Sequence, residues 1–123
     1  MSKPLISLIV PCCNEEQMVA LFYTETLQAI KDLEVDFEFI FIDDGSNDDT
    51  FNVLKTLANS DKRVRILRLS RNFGSFPAIS AGMYNATGDA IICMAADLQD
   101  PPSLISELVE RSGKQATILF GLL

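Results

Sequence analysis

A continuous apolar run, Phe39-Ile40-Phe41-Ile42, ends abruptly in Asp43-Asp44-Gly45-Ser46. A short run with no polar residue on either face, closed by a turn signal and followed by a helical pattern, predicts a strand buried on both sides. Such strands belong to parallel sheets covered by helices. The two carboxylates then stand at the strand's carboxyl end. In open α/β sheets ligands bind at that edge, because the loops leaving the strands surround a crevice the helices do not fill. Adjacent acids repel each other unless a cation or hydrogen-bond donors use them. Residues 44–49, rich in Asp, Gly, Ser and Asn, also suit a turn and a helix cap. Capping takes part of that run, and Asp43, nearest the strand, is assigned to ligand binding.

The rest of the chain alternates in the same manner. Residues 5–10 read as a first strand closed by Pro11, after which Met18, Leu21, Phe22, Ile30 and Leu33 recur at helical spacing. Residues 37–42 form the second strand. Phe51, Leu54, Leu57 and Ala58 mark a second helix, with Ser46 and Asp49 spaced as a capping pair. Residues 64–69 alternate partly, as a strand near an edge does. A small-residue helix over 78–85 stops at Gly88, residues 90–94 make a fourth strand, and Asp100-Pro101-Pro102 starts a helix that buries Leu104, Ile105, Leu108 and Val109. Residues 117–120 offer a fifth strand. This order predicts one α/β domain over residues 1–123: a three-layer α/β/α sandwich with a mainly parallel sheet and right-handed crossovers. Each of the first four strands is followed by a polar cluster. They are Asn14-Glu15-Glu16, Asp43-Asp44-Gly45, Arg71-Asn72 and Asp97-Leu98-Gln99-Asp100, and a parallel sheet gathers all four on one edge.

Composition removes several chemistries. A chain of 123 residues with a formal charge of −7 lacks the clustered cations that nucleic acid requires, so no nucleic-acid partner is expected. It has no histidine, which excludes Ser-His-Asp and Cys-His nucleophile pairs and His-ligated metals. Cys12, Cys13 and Cys93 lack disulfide or zinc spacing and are expected reduced and buried; a redox role for the neighbouring Cys12 and Cys13 is rejected because adjacent cysteines bridge only with strain. No signal-peptide pattern or membrane-length apolar run is present, so this chain is expected to be soluble and cytoplasmic. Dinucleotide and phosphate-loop glycine fingerprints are absent.

Two clusters carry the remaining chemistry. At Asp97-Leu98-Gln99-Asp100, oxygen ligands at a strand end suit a hard divalent cation such as Mg²⁺ or Mn²⁺. Asp100 is assigned mainly to capping and Asp97 to ligand or metal. Arg71 and Asn72 can donate to a phosphate or a base, or Arg71 can simply be solvated. Pro11 and the residues up to Glu16 turn the chain off the first strand and expose backbone groups to a ligand.

Taken in order, Val10-Pro11 with Asn14-Glu15-Glu16, Ile42-Asp43-Asp44-Gly45-Ser46, Ser70-Arg71-Asn72-Phe73-Gly74, Ala81-Gly82, Gly88-Asp89 and Asp97-Leu98-Gln99-Asp100-Pro101-Pro102 resemble the nucleotide-sugar-binding half of group 2 glycosyltransferases. Within that group the resemblance is to the polyprenyl-phosphate branch, of the dolichol-phosphate mannosyltransferase and bactoprenol glucosyltransferase type. It implies the nucleotide-diphospho-sugar transferase (GT-A-like) fold and a UDP- or GDP-hexose donor. The Pro11 loop and Asp43 would hold base and ribose with Glu15 and Asp44 in support, and Asp97 and Gln99 would belong to the metal motif. The implied acceptor is a lipid phosphate, reached at the cytoplasmic face of a membrane if a longer form carries membrane helices.

The sequence departs from that pattern at Ala95, where the family usually has the first Asp of an Asp-x-Asp pair. It also stops at Leu123, before the family's acceptor-binding part, and so reads as a truncated form whose catalytic groups lie past its end. The first expectation is therefore a hexose-transferring glycosyltransferase or the donor-binding part of one. The second is a catalytically incompetent nucleotide-diphosphate-binding module, and the third a receiver-like signalling domain with an aspartate pocket. Apolar surface uncovered by the truncation would favour self-association.

Overall fold

The computed structural model describes residues 3–98, 101–112 and 118–120. The chain runs β1 (Leu5–Cys12), α1 (Val19–Ile30), β2 (Asp36–Asp43), α2 (Thr50–Ser60), β3 (Val64–Arg68), α3 (Ser75–Asn85), β4 (Ala90–Cys93), α4 (Leu104–Ser112) and β5 (Ile118–Phe120). All pairings are parallel, in the order β3-β2-β1-β4-β5. The three-layer α/β expectation holds, and β3 sits at an edge as its alternation predicts. The register pairs Cys12 with Asp43 and Asp43 with Arg68, so the first three strands end nearly level.

The sheet separates two hydrophobic clusters, as the two-residue period of strands requires. Leu8 and Val10, Phe39 and Phe41, and Ile92 and Met94 point to one face, where α1, α2 and α4 supply Phe22, Leu54, Ile105 and Leu108. Ile9, Ile40, Ile42 and Cys93 point to the other, against Ala78 and Ile79 of α3. Gly82 lets α3 lie close to that face. A Cβ there would fall 2.6 Å from Ile9 Cγ2 and 2.8 Å from Ile42 Cδ1, so a larger residue would force these core isoleucines or the helix to move. This close approach is the physical reason for the small residues that mark the helix in sequence.

Several expectations need correction. Leu21, on the anticipated apolar stripe of α1, is 47% exposed, because the buried face runs instead through Val19, Phe22, Tyr23, Thr26 and Ile30. Ser46 and Asp49 do not form a capping pair. Asp49 binds the Asn52 side chain and Ser46 is used by the β1–α1 loop, leaving the first turn of α2 to Asp48, which accepts from the Thr50 N–H. α3 starts at Ser75 and takes Pro77 into its first turn, where a missing N–H costs little. It ends at Asn85, before Gly88. α4 begins at Leu104, beyond both prolines; Asp100, its expected cap, lies outside the described residues, as do Gln99, Thr117 and Leu123.

Crossover handedness is also not uniform. α4 packs on α1 and joins its cluster, although the chain from β4 to β5 advances across the sheet in the opposite direction from β1 to β2. The β4–α4–β5 connection therefore has the opposite hand to β1–α1–β2, against the expectation of right-handed units throughout. Among the described residues no helix is long and apolar enough to cross a membrane.

Candidate functional site

The winding of the sheet decides where a crevice can open. From β1 the chain moves outward to β2 and β3, then crosses by α3 on the opposite face to lay down β4 on the far side of β1, so the strand order reverses between β1 and β4. At that switch point the structure has a cleft of about 430 Å³, with Pro11, Cys13, Glu15, Asp44, Phe76 and Asp97 in its walls. Residues from the ends of β1, β2 and β4 and from the start of α3 meet there.

The loops are fixed to one another by hydrogen bonds. Asn14, in the left-handed conformation (φ 54°) that asparagine tolerates, donates its N–H to Ser46 Oγ at 2.9 Å and accepts from Asn47 N at 2.8 Å. Glu15 donates its N–H to Thr50 Oγ1, and Glu16 donates to Asp48 Oδ2. The β1–α1 loop is thus laced onto the β2–α2 loop. Asn14 serves this lacing and lies outside the cleft.

Asp44 ties in the third loop. Its two carboxylate oxygens accept from Phe73 N at 2.8 Å and Gly74 N at 3.1 Å, holding the start of α3 against the end of β2. Gly45 beside it has φ 71°, and a Cβ would fall 2.3 Å from Asn72 N and 2.4 Å from the Arg71 carbonyl carbon. Only glycine lets the two backbones meet there. Asn72 Nδ2 donates to Cys13 Sγ at 3.1 Å, which closes the ring of loops, while the Arg71 guanidinium lies 4.0 Å from the centre of the Phe73 ring.

Asp43 lies beneath these contacts and is fully buried. Its Oδ1 accepts from Ser46 N at 3.0 Å. Its Oδ2 is 3.6 Å from Arg68 Nε and has no hydrogen-bond partner among the described residues. Arg68 is half-exposed and stacks on Phe51, so it neutralises this oxygen without satisfying it. On the cleft's other wall, burial and the charges of Asp97 and Asp48 push the Glu15 carboxyl above its ordinary range.

The structure thus brings Pro11, Glu15, Asp44 and Asp97 to one cleft. It places Arg71 and Asn72 around a second hollow of about 540 Å³ shared with Arg68 and Ser46, while Asp43, fully buried at the end of β2, lines neither. Gln99 lies outside the described residues. Sequence reasoning missed Arg68, the strand-end partner of Asp43, and Phe76, an aromatic residue beside the buried stripe of α3. Only the register reveals the first; the second could have been found as an aromatic one turn before Ser80 on the face opposite Ala78 and Gly82. Cys12 and Cys93 are buried thiols as expected, whereas Cys13 is half-buried at the cleft. Burial raises the Cys12 and Cys93 pKa values, the latter to about 11, which keeps both protonated.

A doubly wound sheet with an acid-lined crevice at its switch point defines a ligand-binding α/β domain. Its order, 3-2-1-4-5, is not the 2-1-3-4-5 of receiver domains, which removes the receiver-like alternative. The chain belongs to glycosyl transferase family 2, whose model matches residues 7–122. A prophage bactoprenol glucosyl transferase homolog of Escherichia coli K12 is 46% identical over 107 residues, covering 86% of this chain and 35% of that protein. The putative glycosyltransferase CsbB of Bacillus subtilis is 42% identical over 110 residues, covering 89% and 33%. Among solved structures, a mannosyltransferase from Pyrobaculum calidifontis in complex with GDP-Man and Mn²⁺ superposes with a TM-score of 0.72 at 20% identity, covering 92% of this chain and 33% of its own. S. aureus TarS 1–349 with UDP-GlcNAc gives 0.71 at 20% identity, covering 91% and 31%. These confirm the GT-A-like fold. The chain spans about a third of the length of the curated relatives it matches.

Proposed function

We propose that this chain holds the nucleotide-diphosphate-sugar donor, a UDP- or GDP-hexose, of a glycosyltransferase that passes the hexose to a polyprenyl phosphate or related lipid phosphate. The observation that carries the reading is the convergence of four loops on one acid-lined cleft at the sheet's switch point. The lipid acceptor rests on the relatives named bactoprenol glucosyl transferase. Such a chain works on the cytoplasmic side of the membrane that carries its acceptor.

The base and ribose lie over Pro11 and the end of β2, where the buried, unpartnered Oδ2 of Asp43 takes the donor hydrogen bond the protein does not provide. Glu15 and Asp44 shape the wall, Asn14 holds the loop, and Arg71 and Asn72 donate to phosphate. A lipid phosphate is already ionised at neutral pH, so transfer to it needs orientation and charge neutralisation more than a general base.

A divalent ion fits the residues present, with a short donor set. Burial, and after it the charges of Asp97 and Asp48, push the Glu15 carboxyl up, which is consistent with a cleft wall that a cation would relieve. Among the described residues no three acidic or thiol groups enclose an ion. Mg²⁺ and Mn²⁺ typically take one or two carboxylates and complete the shell with water and substrate phosphates. Asp97 would hold the ion, with Gln99 beyond the described residues and Ala95 giving no oxygen from its side chain. When bound, the ion supplies Lewis-acid neutralisation of the leaving diphosphate.

Titration calorimetry with UDP, GDP and their sugars, with and without Mn²⁺, tests this. One nucleotide should bind, and none binding would overturn the reading. Asp43→Ala should weaken nucleotide binding more than Asp97→Ala, because Ala95 already leaves the metal side a donor short. A larger, metal-dependent loss at Asp97 would show the ion site to be complete. Because the chain covers a third of its relatives' length, binding without transfer is the second reading, and assay with a polyprenyl phosphate separates the two.

A further inference from the structure

Four large hydrophobic side chains stand exposed among the described residues, and three of them, Phe73 (42%), Phe76 (82%) and Tyr84 (90%), belong to α3 and the loop that leads into it. Phe76 and Tyr84 are two helical repeats of four apart, with Ser80 between, so they share one face of α3, away from the buried Ala78, Ile79 and Gly82. Helical rise makes that stripe about 12 Å long. From Asn72 through Gly88 the sequence has no charged residue, in a chain that is 22% charged, and each of the other three helices carries charge. Two further observations say what covers the stripe. Its first aromatic, Phe76, also lines the cleft, so the apolar track is continuous with the donor site. The Arg71 guanidinium is stacked on Phe73 at the head of the track, giving a cation there, while Arg68 in the same hollow is turned toward Asp43. An apolar strip that starts at a cleft and carries one positive charge at that end complements an amphiphile with a small anionic head.

We propose that the exposed face of α3 is the acceptor's docking track: the phosphate of a polyprenyl phosphate is met by Arg71, and its first isoprenoid units lie along Phe73, Phe76 and Tyr84. The assignment rests on the transferase reading given above and adds, to the acceptor-binding part expected past Leu123, a contact for the lipid within this chain. It orients the lipid so that its phosphate, the nucleophile, reaches the cleft from the α3 side, opposite the Asp97 wall.

The sequence contains no tryptophan, so Tyr84→Trp makes a single-tryptophan reporter at a site that is already solvent-exposed. Farnesyl phosphate should shift its emission to the blue in a saturable way, while farnesol alone should bind at least tenfold more weakly and inorganic phosphate should give no shift. In that background Phe76→Ser should weaken farnesyl phosphate binding on the order of tenfold, the scale of losing one aromatic contact surface. Leu21→Ser, which removes the exposed apolar residue of α1, should change nothing. Nucleotide calorimetry on the same samples keeps the two readings apart. If nucleotide binds and farnesyl phosphate gives no shift, the track is overturned and the donor site stands; if no nucleotide binds, the transferase reading has failed as well. A shift produced equally by phosphatidylglycerol vesicles without polyprenyl phosphate would assign the face to the bilayer, and one produced by protein concentration alone would assign it to a second copy of the chain. Either would overturn the proposal.

Discussion

Strand β2 carries two buried acids with opposite fates. Glu38 is 8% exposed and accepts from Ser7 Oγ, from both the N–H and the hydroxyl of Thr87, and from Arg65. Burial pushes its pKa up, but those donors outweigh burial and hold the carboxyl below its ordinary value. Asp43, fully buried at the other end of the strand, has one N–H on Oδ1 and an unsatisfied Oδ2. A carboxylate whose donors all come from the protein is complete as structure. One left short at a ligand-facing rim costs stability and has that cost returned when a ligand donates to it.

If Glu38 is the structural member of the pair, its removal should give the largest loss. Glu38→Ala strands the Thr87 N–H and the Ser7 hydroxyl and frees the link to β4, for about 3 kcal/mol of unfolding free energy measured in urea. A loss under 1 kcal/mol would mean the clamp is decorative. Gly45→Ala comes next, at about 2 kcal/mol, because the new methyl meets the Asn72 backbone and left-handed alanine is itself strained. Unlike the loss at Glu38, this one should also weaken nucleotide binding, since it separates the Asp44 and Asn72 loops; unchanged binding would show that the loops act independently.

The acid limb of stability gives a smaller effect with a fixed sign. A carboxyl whose folded pKa is lowered contributes stability that is fully present above its unfolded value, near 4.3. That contribution is lost as pH falls through the folded value. The wild type should therefore lose stability below about pH 4.3 more steeply than Glu38→Gln does. Parallel acid limbs in pH-dependent urea titrations would contradict the hydrogen-bond account of Glu38.

The comparison also marks what the sequence reveals. The run through Ile42 and the strand-helix alternation announce a parallel sheet, because a two-sided apolar strand has few other places to go. Asp43, Asp44 and Asp97 stand out because acids at strand ends are costly unless used. Glu38 shows no such signal. It sits inside a strand between two phenylalanines, and its partners are 31, 27 and 49 residues away, joined to it only by the fold. The partners of Asp44 are hidden for the same reason: nothing in the sequence shows that backbone donors from residues 73 and 74 reach both of its oxygens. The hand of the β4–α4–β5 crossover was likewise illegible, since it is set by the packing of α4 on α1, a contact that only the fold makes.

The smallest expected change in stability decides the functional half of the comparison. In Asp43→Asn the retained amide oxygen still accepts from Ser46 N, and the new amide replaces an oxygen that had no donor. Only the attraction to half-exposed Arg68 is lost, and the cost should stay within about 1 kcal/mol. Ligand affinity should respond much more. An amide that donates where a carboxylate accepted leaves the ligand's own donor unpaired, a penalty of about 1–3 kcal/mol, or roughly tenfold to a hundredfold in Kd. Urea unfolding and nucleotide calorimetry on one preparation read both quantities. A large stability loss with unchanged affinity would make Asp43 a second Glu38, and the difference between the two acids of β2 would then reflect position in the strand rather than function.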